Sequence, residues 1–256
     1  MSGHKPLAIP ADIIYTYDGS YFGFLCCVFD SVYNHELPVD IVAYDEQPIT
    51  LYQLHFVETD EAKALRVLES IQNKISLRAL SLIDNVFLSC APQKELLMLK
   101  FLLRGYEEGG KLVNMLGDPD VAPLMKAQKH ILGEAHLLLG FIRFADYNGS
   151  LAATITPKNF ILPFIAEHFT RRYKDENFLI FDKTNKAALM HQDRRADIFS
   201  LDDIEFPEVS ETEMHYQALW KQFYNTVSIE ARENPRCRLT HMPKRYWQNM
   251  LEVSDN

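Results

Sequence analysis

The segment GFIRFADYNGSLAATITP, residues 140–157, decides how the second half of this chain is built. Its Asn148-Gly149 dipeptide favours a tight turn, because both residues tolerate a positive φ. The segment therefore predicts a β-hairpin over about residues 140–156. The segment NFLIFD at residues 177–182 is apolar on both faces, which is typical of a strand inside a sheet. We expect further strands to about residue 199.

Helical patterns surround this hairpin on both sides. A DG turn at Asp18-Gly19 separates an alternating segment from an apolar helix pattern that begins near Tyr21, and residues 49–59 alternate like another strand. Further helices are predicted over residues 61–76, 92–109, 121–139, 157–173, 211–230 and 243–252. The order predicts an α+β protein, mostly helical, with a small antiparallel β-sheet made of the hairpin and the strands around 177–199.

The same order of elements suggests how the chain is divided. We interpret residues 1–256 as a single domain that contains two subdomains. The first, 1–139, is mainly helical, and the second, 140–256, carries the hairpin, a helix, the strands and the C-terminal helices. The acidic stretch 197–213 is the best candidate for a loose connection.

Charge is segregated along the sequence. The formal net charge is −9, so the molecule as a whole repels nucleic acid and anionic membranes. Residues 197–213 contain seven acids and no Lys or Arg, whereas residues 232–247 contain five bases and one acid. The basic stretch includes NPRCRLTHMPKRYW, residues 234–247, where basic residues are interleaved with aromatic ones. Forked guanidinium donors suit phosphates and aromatic faces suit stacked bases, so this stretch is typical of a nucleic-acid groove.

The cysteines and the hydropathy narrow the class of protein further. The four cysteines form no CxxC or CxxxCxxC spacing, and no apolar run is long enough to span a membrane. We find nothing resembling a signal peptide. We therefore expect a reduced, cytoplasmic protein with no membrane contact, no cofactor and no metal site of its own.

Two motifs resemble functional sites but lack the required chemistry. GYEEGGKL at 105–112 matches part of a phosphate-binding loop, yet no strand precedes it and Leu112 replaces the Ser or Thr that holds magnesium. We interpret it as a helix end capped by glycine. In HILGEAH, His130 and Glu134 share a helical face from which His136 is rotated away, so this segment alone does not build a metal site.

Three residues are weak candidates for acid–base chemistry: His168, Asp182 and His241. His168 lies on an apolar helical stripe, where a packed histidine is the alternative. Asp182 ends the NFLIFD strand, where a turn-forming role is an equal alternative. Arg171, Arg172 and Lys174 end the helix of His168, either as partners of the helix dipole or as a second basic patch.

Three stretches of this sequence resemble a bacterial family described as "probable DNA metabolism protein". They are YDGSYFGFLCCVFD, GFIRFADYNGSLAATITPKNFILPFIAEHFTRRYKDENFLIFDKT and HYQALWKQFYNTVSIEARENPRCRLTHMPKRYW. Members are typically encoded beside a radical SAM protein of DNA modification or repair, and a related domain is sometimes fused to a uracil-DNA-glycosylase-like domain. The resemblance implies that the radical SAM protein and a uracil-DNA-glycosylase-like protein are partners of this chain. Any radical chemistry would belong to the radical SAM protein, because this chain lacks the cluster motif.

Three hypotheses follow. The first is an accessory protein that binds DNA through a basic C-terminal face, with Tyr246 or Trp247 stacking on an exposed base. Its proposed contacts are Arg171, Arg172, Arg236, Arg238, Lys244, Arg245, Tyr246 and Trp247. The second is a protein adaptor for the radical SAM enzyme without DNA contact. The third is an enzyme that acts on damaged DNA, with His168, Asp182 or His241 as its acid–base groups.

Overall fold

The computed structural model of this chain describes residues 7–46, 49–147, 149–227 and 242–251. The backbone divides into two compact units, residues 1–130 and 131–256. Helices and small sheets alternate along the chain, which confirms the predicted α+β class. The interpretation of 1–256 as one domain with two subdomains stays a prediction. No helix among the described residues is long and apolar enough to cross a membrane.

The first unit contains two small parallel sheets, one of three strands and one of two. Its strands are β1 Ile9–Pro10, β2 Ile13–Tyr17, β3 Glu36–Leu37, β4 Asp40–Ala43 and β5 Gln53–Phe56. Strand β2 is central and pairs in parallel with β4 and β5, while β1 pairs in parallel with β3. The strands predicted before Asp18 and within 49–59 are confirmed. Their parallel pairing needs crossover connections, which the intervening helix and loops provide.

Helices make up most of the rest of the first unit. They are α1 Tyr21–Asn34, α2 Glu61–Lys74, α3 Leu77–Phe87, α4 Lys94–Glu108 and α5 Ala122–Phe141, which continues into the second unit. Ser20, Asp60 and Ser76 cap α1, α2 and α3 by accepting hydrogen bonds from backbone N–H groups of the first turns. Helix α4 crosses the core as predicted, with Met98 and Phe101 fully buried.

Two details of these helices test the sequence patterns. Helix α2 lies within the predicted range 61–76 and packs through Ala64, Val67 and Ile71, whereas Leu65 is 49% exposed. Helix α4 ends at Glu108, and Gly109 adopts a φ of 71°. This positive φ confirms the glycine-capped helix end that we predicted for GYEEGGKL.

The second unit is built around a five-stranded sheet. Its strands are β6 Ala145–Asp146, β7 Ser150–Ile155, β8 Asn177–Asp182, β9 Ala187–Gln192 and β10 Arg195–Ser200, in the spatial order β10-β9-β8-β7-β6. The predicted hairpin is present as the antiparallel pair of β6 and β7. One pairing differs from the predicted antiparallel sheet: β7 and β8 run parallel, because α6, Leu162–Arg172, returns the chain to the same end of the sheet.

In the described C-terminal residues, a long helix and a short helix follow the sheet. Helix α7 spans Glu211–Val227, close to the predicted 211–230, and a 3-10 helix covers Lys244–Asn249 where a longer helix was predicted. Helix α6 begins at Leu162 and not near Pro157, because the backbone at Lys158 and Asn159 bonds to Glu134.

Candidate nucleic-acid interface

Helix α6 separates a buried face from a polar face near its C-terminal end. Leu162, Ile165 and Phe169 are buried, which accounts for one side of the helix. His168 and Arg171 are exposed on the remaining surface. His168 is therefore not the packed histidine that its position on an apolar stripe suggested. Arg171 and Arg172 also occupy the last turn, where positive charge complements the helix dipole.

A basic pocket lies on one side of this helix end. It has a volume of about 420 Å³ and is lined by Thr170, Arg171, Lys174, His191 and Arg194. The ring of His191 stacks on Phe178, and its Nδ1 atom lies 2.9 Å from the carbonyl oxygen of Glu176. The pocket therefore combines a buried histidine with exposed cationic side chains.

Among the described residues, the three cations of the basic pocket pair with exposed carboxylates. Arg171 lies 3.5 Å from Glu167, and Arg194 lies 2.9 Å from Asp175. The side chains of Arg171 and Arg194 are 79% and 81% exposed. Exposed ion pairs contribute little free energy, at most about 1 kcal/mol, so an incoming anion can displace these carboxylates.

An aromatic cavity with a volume of about 890 Å³ involves the same helix end. Its aromatic lining is Phe144, Phe169, Tyr173, Tyr216, Trp220 and Phe223. Its polar lining is Arg143, His168, Arg172, Glu213 and Gln217. An apolar cavity with a few polar groups is the usual form of a ligand site. Helix α6 thus contributes Arg171 to the basic pocket and Arg172, the next residue, to the aromatic cavity.

Two guanidinium groups stand against rings of the aromatic cavity. The guanidinium carbon of Arg143 lies 5.7 Å from the ring centroid of Trp220, and that of Arg172 lies 5.8 Å from the centroid of Tyr173. Arg143 also donates hydrogen bonds to the carbonyl oxygens of Gly140 and Ile142. These contacts hold positive charge beside aromatic faces, an arrangement that cation–π attraction stabilises.

Helix α7 supplies the exposed wall of the aromatic cavity. Tyr216, Trp220 and Phe223 follow one another at helical spacing and are 63%, 40% and 56% exposed. The Glu213 carboxylate accepts a hydrogen bond from the Asp146 backbone N–H at 3.3 Å and one from Gln217 Nε2 at 2.8 Å. Glu213 thereby connects α7 to the β6–β7 hairpin.

The predicted contacts at residues 244–247 divide into two groups. Lys244 is exposed, with its Nζ atom 5.6 Å from the ring centroid of Trp247, and Trp247 Nε1 donates to the Met242 carbonyl oxygen at 3.0 Å. Arg245 and Tyr246 instead contact the side chain of Glu134. Arg236, Arg238 and His241 lie outside the described residues, so their predicted roles stay predictions.

The carboxylate of Glu134 is buried at the centre of a hydrogen-bond network. It accepts bonds from the Tyr246 hydroxyl at 2.6 Å, from Arg245 at 2.9 Å and from the Asn159 backbone N–H at 2.8 Å. Burial by itself raises the pKa of Glu134, but the bonds from Tyr246, Asn159 and Lys158 outweigh it and hold the pKa below its ordinary value. The carboxylate is therefore ionised within the protein.

This network corrects two of the predicted nucleic-acid contacts. Tyr246 is 1% exposed, so its ring is not accessible to a nucleic-acid base. The guanidinium of Arg245 pairs with Glu134 and also contacts the Tyr246 hydroxyl. A charge paired with a buried carboxylate is costly to withdraw, so Arg245 is held away from a phosphate role.

Asp182 forms the turn after β8. Its Oδ1 atom accepts hydrogen bonds from the backbone N–H groups of Thr184 and Asn185, both at 3.0 Å, and its Oδ2 atom accepts one from Asn185 Nδ2 at 2.6 Å. Burial raises the pKa of Asp182 to about 6 despite these bonds. These contacts are the ones expected of a turn-forming Asp182, the alternative to an acid–base role. Asp182 and His168 have no shared partner among the described residues, so the structure does not assemble them into an acid–base pair.

Sequence reasoning considered Glu134 only as a metal ligand and missed its buried hydrogen-bond network. It did not identify Arg143 or Trp220 as site residues. Glu134 had a readable signal: it falls at helical spacing among Ile131, Ala135 and Leu138, all of which are buried. A carboxylate on such a stripe requires buried partners. Arg143 and Trp220 had no such signal, because the cavity that joins them exists only in the folded unit. Within the described ranges, no cluster of three or more His, Cys, Asp or Glu residues is suited to a metal ion.

The fold and the site define an α+β protein whose second unit carries a basic pocket and an aromatic cavity. Comparison with known families gives one match: the chain belongs to the DUF4130 family, a domain of unknown function, which it matches over residues 92–252. No curated protein matches the chain.

A search of solved structures gives a distant likeness. The matching structure is described as "pGpG-specific phosphodiesterase - PggH from Vibrio cholrae". It is 10% identical, with a TM-score of 0.30, and the match covers 70% of this chain and 81% of that chain. A likeness at this level carries no argument about the function of this chain.

Proposed function

We propose that this protein is a DNA-binding accessory protein of DNA repair or modification, and that its second unit holds the DNA backbone at the C-terminal end of α6. The observation that carries the proposal is the basic pocket, where Arg171, Lys174 and Arg194 converge on one concave surface. Lys244, which is exposed, is a further candidate contact. Arg236 and Arg238 keep the role that the sequence suggests for them.

The charge distribution supports an anionic ligand for the basic pocket. With a net charge of −9, the protein attracts a polyanion only through a local excess of cations. Breaking these exposed ion pairs costs the arginine and lysine side chains little free energy when they exchange carboxylates for phosphates. The phosphates then gain charge-assisted hydrogen bonds, including forked ones from the two guanidinium groups.

The partner in this proposal is a radical SAM enzyme. This part rests on the resemblance to the bacterial DNA metabolism family and on the cysteines, which lack the spacing of a cluster site. In such an arrangement this chain holds the DNA, and the partner supplies the radical chemistry. A uracil-DNA-glycosylase-like protein is a further partner that the resemblance suggests.

The test is DNA binding measured by fluorescence anisotropy at several salt concentrations. We expect the logarithm of the association constant to fall linearly with the logarithm of the salt concentration, with a slope of about 0.7 to 0.9 per phosphate neutralised. The triple variant Arg171→Gln, Lys174→Gln, Arg194→Gln should bind more weakly and with a shallower slope.

A matched control separates the basic pocket from net charge. Lys111, Lys126 and Lys129 are exposed residues of the first unit, and changing all three to Gln alters the net charge by the same amount. This control should retain most of the wild-type affinity. Equal losses in the two triple variants, or no binding by the wild type at low salt, would overturn the proposed function.

A protein adaptor without DNA contact is the second candidate function. It is favoured by the exposed apolar residues of α7, which include Met214, Leu219 and Phe223 at 50%, 45% and 56% exposure. Surfaces of this kind are commonly protein-binding sites. Co-purification with the radical SAM protein that is lost on Leu219→Ser and Phe223→Ser, together with absent DNA binding, would favour this candidate.

A further inference from the structure

We infer that the aromatic cavity binds an unstacked base of single-stranded DNA, while the basic pocket holds the neighbouring phosphates. This inference rests on the proposed function and names the form of DNA that the second unit takes. Three features of the aromatic cavity support it: its rings, its cations and its position on α6.

The rings of the aromatic cavity provide apolar faces for a planar ligand. Trp220 and Tyr216 are partly exposed on α7, and Phe144 is packed between Phe169 and Tyr173 at centroid distances of 5.6 and 5.2 Å. Every base has a π-face that stacks on such rings without regard to sequence. The volume of about 890 Å³ lies within the range of known small-ligand sites, roughly 300 to 1,000 Å³.

The cations of the aromatic cavity favour a nucleotide over an apolar peptide. Arg143 and Arg172 both line it, with guanidinium carbons 5.7 and 5.8 Å from the rings of Trp220 and Tyr173. An apolar helix laid into the cavity would desolvate both guanidinium groups without bringing an anion to them, which is costly. A nucleotide offers a phosphate to the guanidinium groups and a base to the rings.

The position on α6 links the aromatic cavity to the basic pocket. Arg171 lines the pocket and Arg172 lines the cavity, and adjacent helical residues are separated by only about 1.5 Å along the helix axis. A strand that follows the end of α6 therefore meets phosphate-binding and base-stacking groups in succession. A base in duplex DNA is stacked on both faces and paired at one edge, so only an unpaired, unstacked base enters the cavity without an opening cost.

The lining also offers groups for the edge of the base. Glu213 and Gln217 contribute a carboxylate and an amide to the cavity. Each carboxylate oxygen has two lone pairs, and the two contacts from Asp146 and Gln217 use one on each oxygen of Glu213. The free lone pairs are acceptors for the amino group of a base, as carboxylates are in base recognition.

The experiment compares two 12-nucleotide oligonucleotides with the same number of phosphates: oligo-dC, and a strand in which every nucleotide is a stable abasic analogue. Anisotropy of the full-length protein should give an affinity for oligo-dC about 10- to 100-fold higher than for the abasic strand, because base–aromatic stacking contributes on that scale. Trp220→Ala should reduce the preference toward unity and leave the affinity for the abasic strand unchanged.

Two further variants guard against a loss of folding. Trp220→Phe keeps a ring at the same position and should retain most of the preference. Tyr33→Ala removes a 75% exposed aromatic ring from the first unit and should leave the preference unchanged. Circular dichroism of each variant checks that the helices are preserved.

The outcomes separate this inference from the proposed function. Equal affinity of the wild type for both strands, with binding still lost in the basic-pocket triple variant, would overturn the base site and leave the DNA-binding function standing. Unchanged preference in folded Trp220→Ala would also overturn it. No binding of either strand at low salt would overturn both.

Discussion

Arg245 donates a hydrogen bond to the carboxylate of Glu134 at 2.9 Å across a sequence separation of 111 residues. The Glu134 side chain is 1% exposed and that of Arg245 is 32% exposed, so this ion pair lies at the edge of the protein interior. It attaches the C-terminal segment to α5 within the second unit. Of the described basic residues in this segment, Arg245 thus anchors the segment, whereas Lys244 is exposed to solvent.

Removing the cationic partner of Glu134 should destabilise the protein. Arg245→Met keeps the aliphatic length but leaves a buried carboxylate without its charge partner, and we expect a loss of about 3 kcal/mol in the free energy of unfolding. Urea denaturation at pH 7 measures it. The matched control is Arg171→Met, at an exposed pair with Glu167, which should change stability by less than about 1 kcal/mol. Similar effects from the two substitutions would contradict the structural role of Arg245.

The hydroxyl of Tyr246 should contribute separately from its ring. Tyr246→Phe keeps the ring near Phe141 and removes the donor to Glu134, and we expect a loss of about 1 to 2 kcal/mol. Tyr216→Phe, at a 63% exposed position, should stay within about 0.5 kcal/mol of the wild type. A Tyr246→Phe variant as stable as the wild type would contradict the structural role of this hydroxyl.

Asp182 should make the free energy of unfolding depend on pH. Its pKa is raised from 3.8 to about 6 by burial, so the folded protein binds more protons than the unfolded chain between these values. The contribution of this group therefore falls as the pH rises from about 4 to about 6. In Asp182→Asn this component is absent, so the stability of the variant relative to the wild type should rise with pH across that window.

Glu134→Gln should change the pH dependence of the free energy of unfolding in the direction opposite to that of Asp182→Asn. Because the pKa of Glu134 is held below its ordinary value of 4.5, its ionisation stabilises the protein above that value, and the contribution is lost as the pH falls through the lower pKa of the folded state. Urea denaturation from pH 3 to pH 7 measures both variants. Parallel profiles for wild type and Asp182→Asn would show that Asp182 is not buried as described.

Gly23 in the first unit should not tolerate a side chain. A Cβ atom there would overlap the Asp18 carboxylate and lie 2.9 Å from both Thr59 Oγ1 and Tyr17 Cδ2. We expect Gly23→Ala to lower the free energy of unfolding by about 1 to 3 kcal/mol, as overpacking does. The control is Gly133→Ala on α5, where no atom lies within 4 Å of the added Cβ. This control should raise stability by about 0.5 to 1 kcal/mol through helix propensity, and both are measured by denaturant unfolding.

Local patterns predicted most of the elements correctly. The β6–β7 hairpin, the apolar NFLIFD strand and the all-round apolar α4 each depend on neighbouring residues, because turn chemistry and burial periodicity act over short distances. The parallel pairing of β7 with β8 was missed, since strand direction depends on the path of the intervening helix.

The candidate site was only partly predictable for a related reason. His168, Arg171 and Arg172 were identified from their place on one helix, and the structure places all three at its C-terminal end, beside the basic pocket or the aromatic cavity. Arg245 and Tyr246 were grouped with them because they share a basic segment. In the structure both contact Glu134, which lies more than a hundred residues earlier in the sequence.

The sequence by itself determined the α+β class, the hairpin, most of the helices and the excess of cations at the end of α6 and in the C-terminal segment, but it did not predict α3. Each is a property of nearby residues, and secondary structure and local charge follow from these. Only the tertiary structure decided which cations are anchored and which face solvent, because burial is set by residues distant in the chain. Only the tertiary structure joined Arg143, Arg172 and Trp220 in one cavity. These residues belong to three separate segments, and their spacing in the sequence does not predict that folding brings them together.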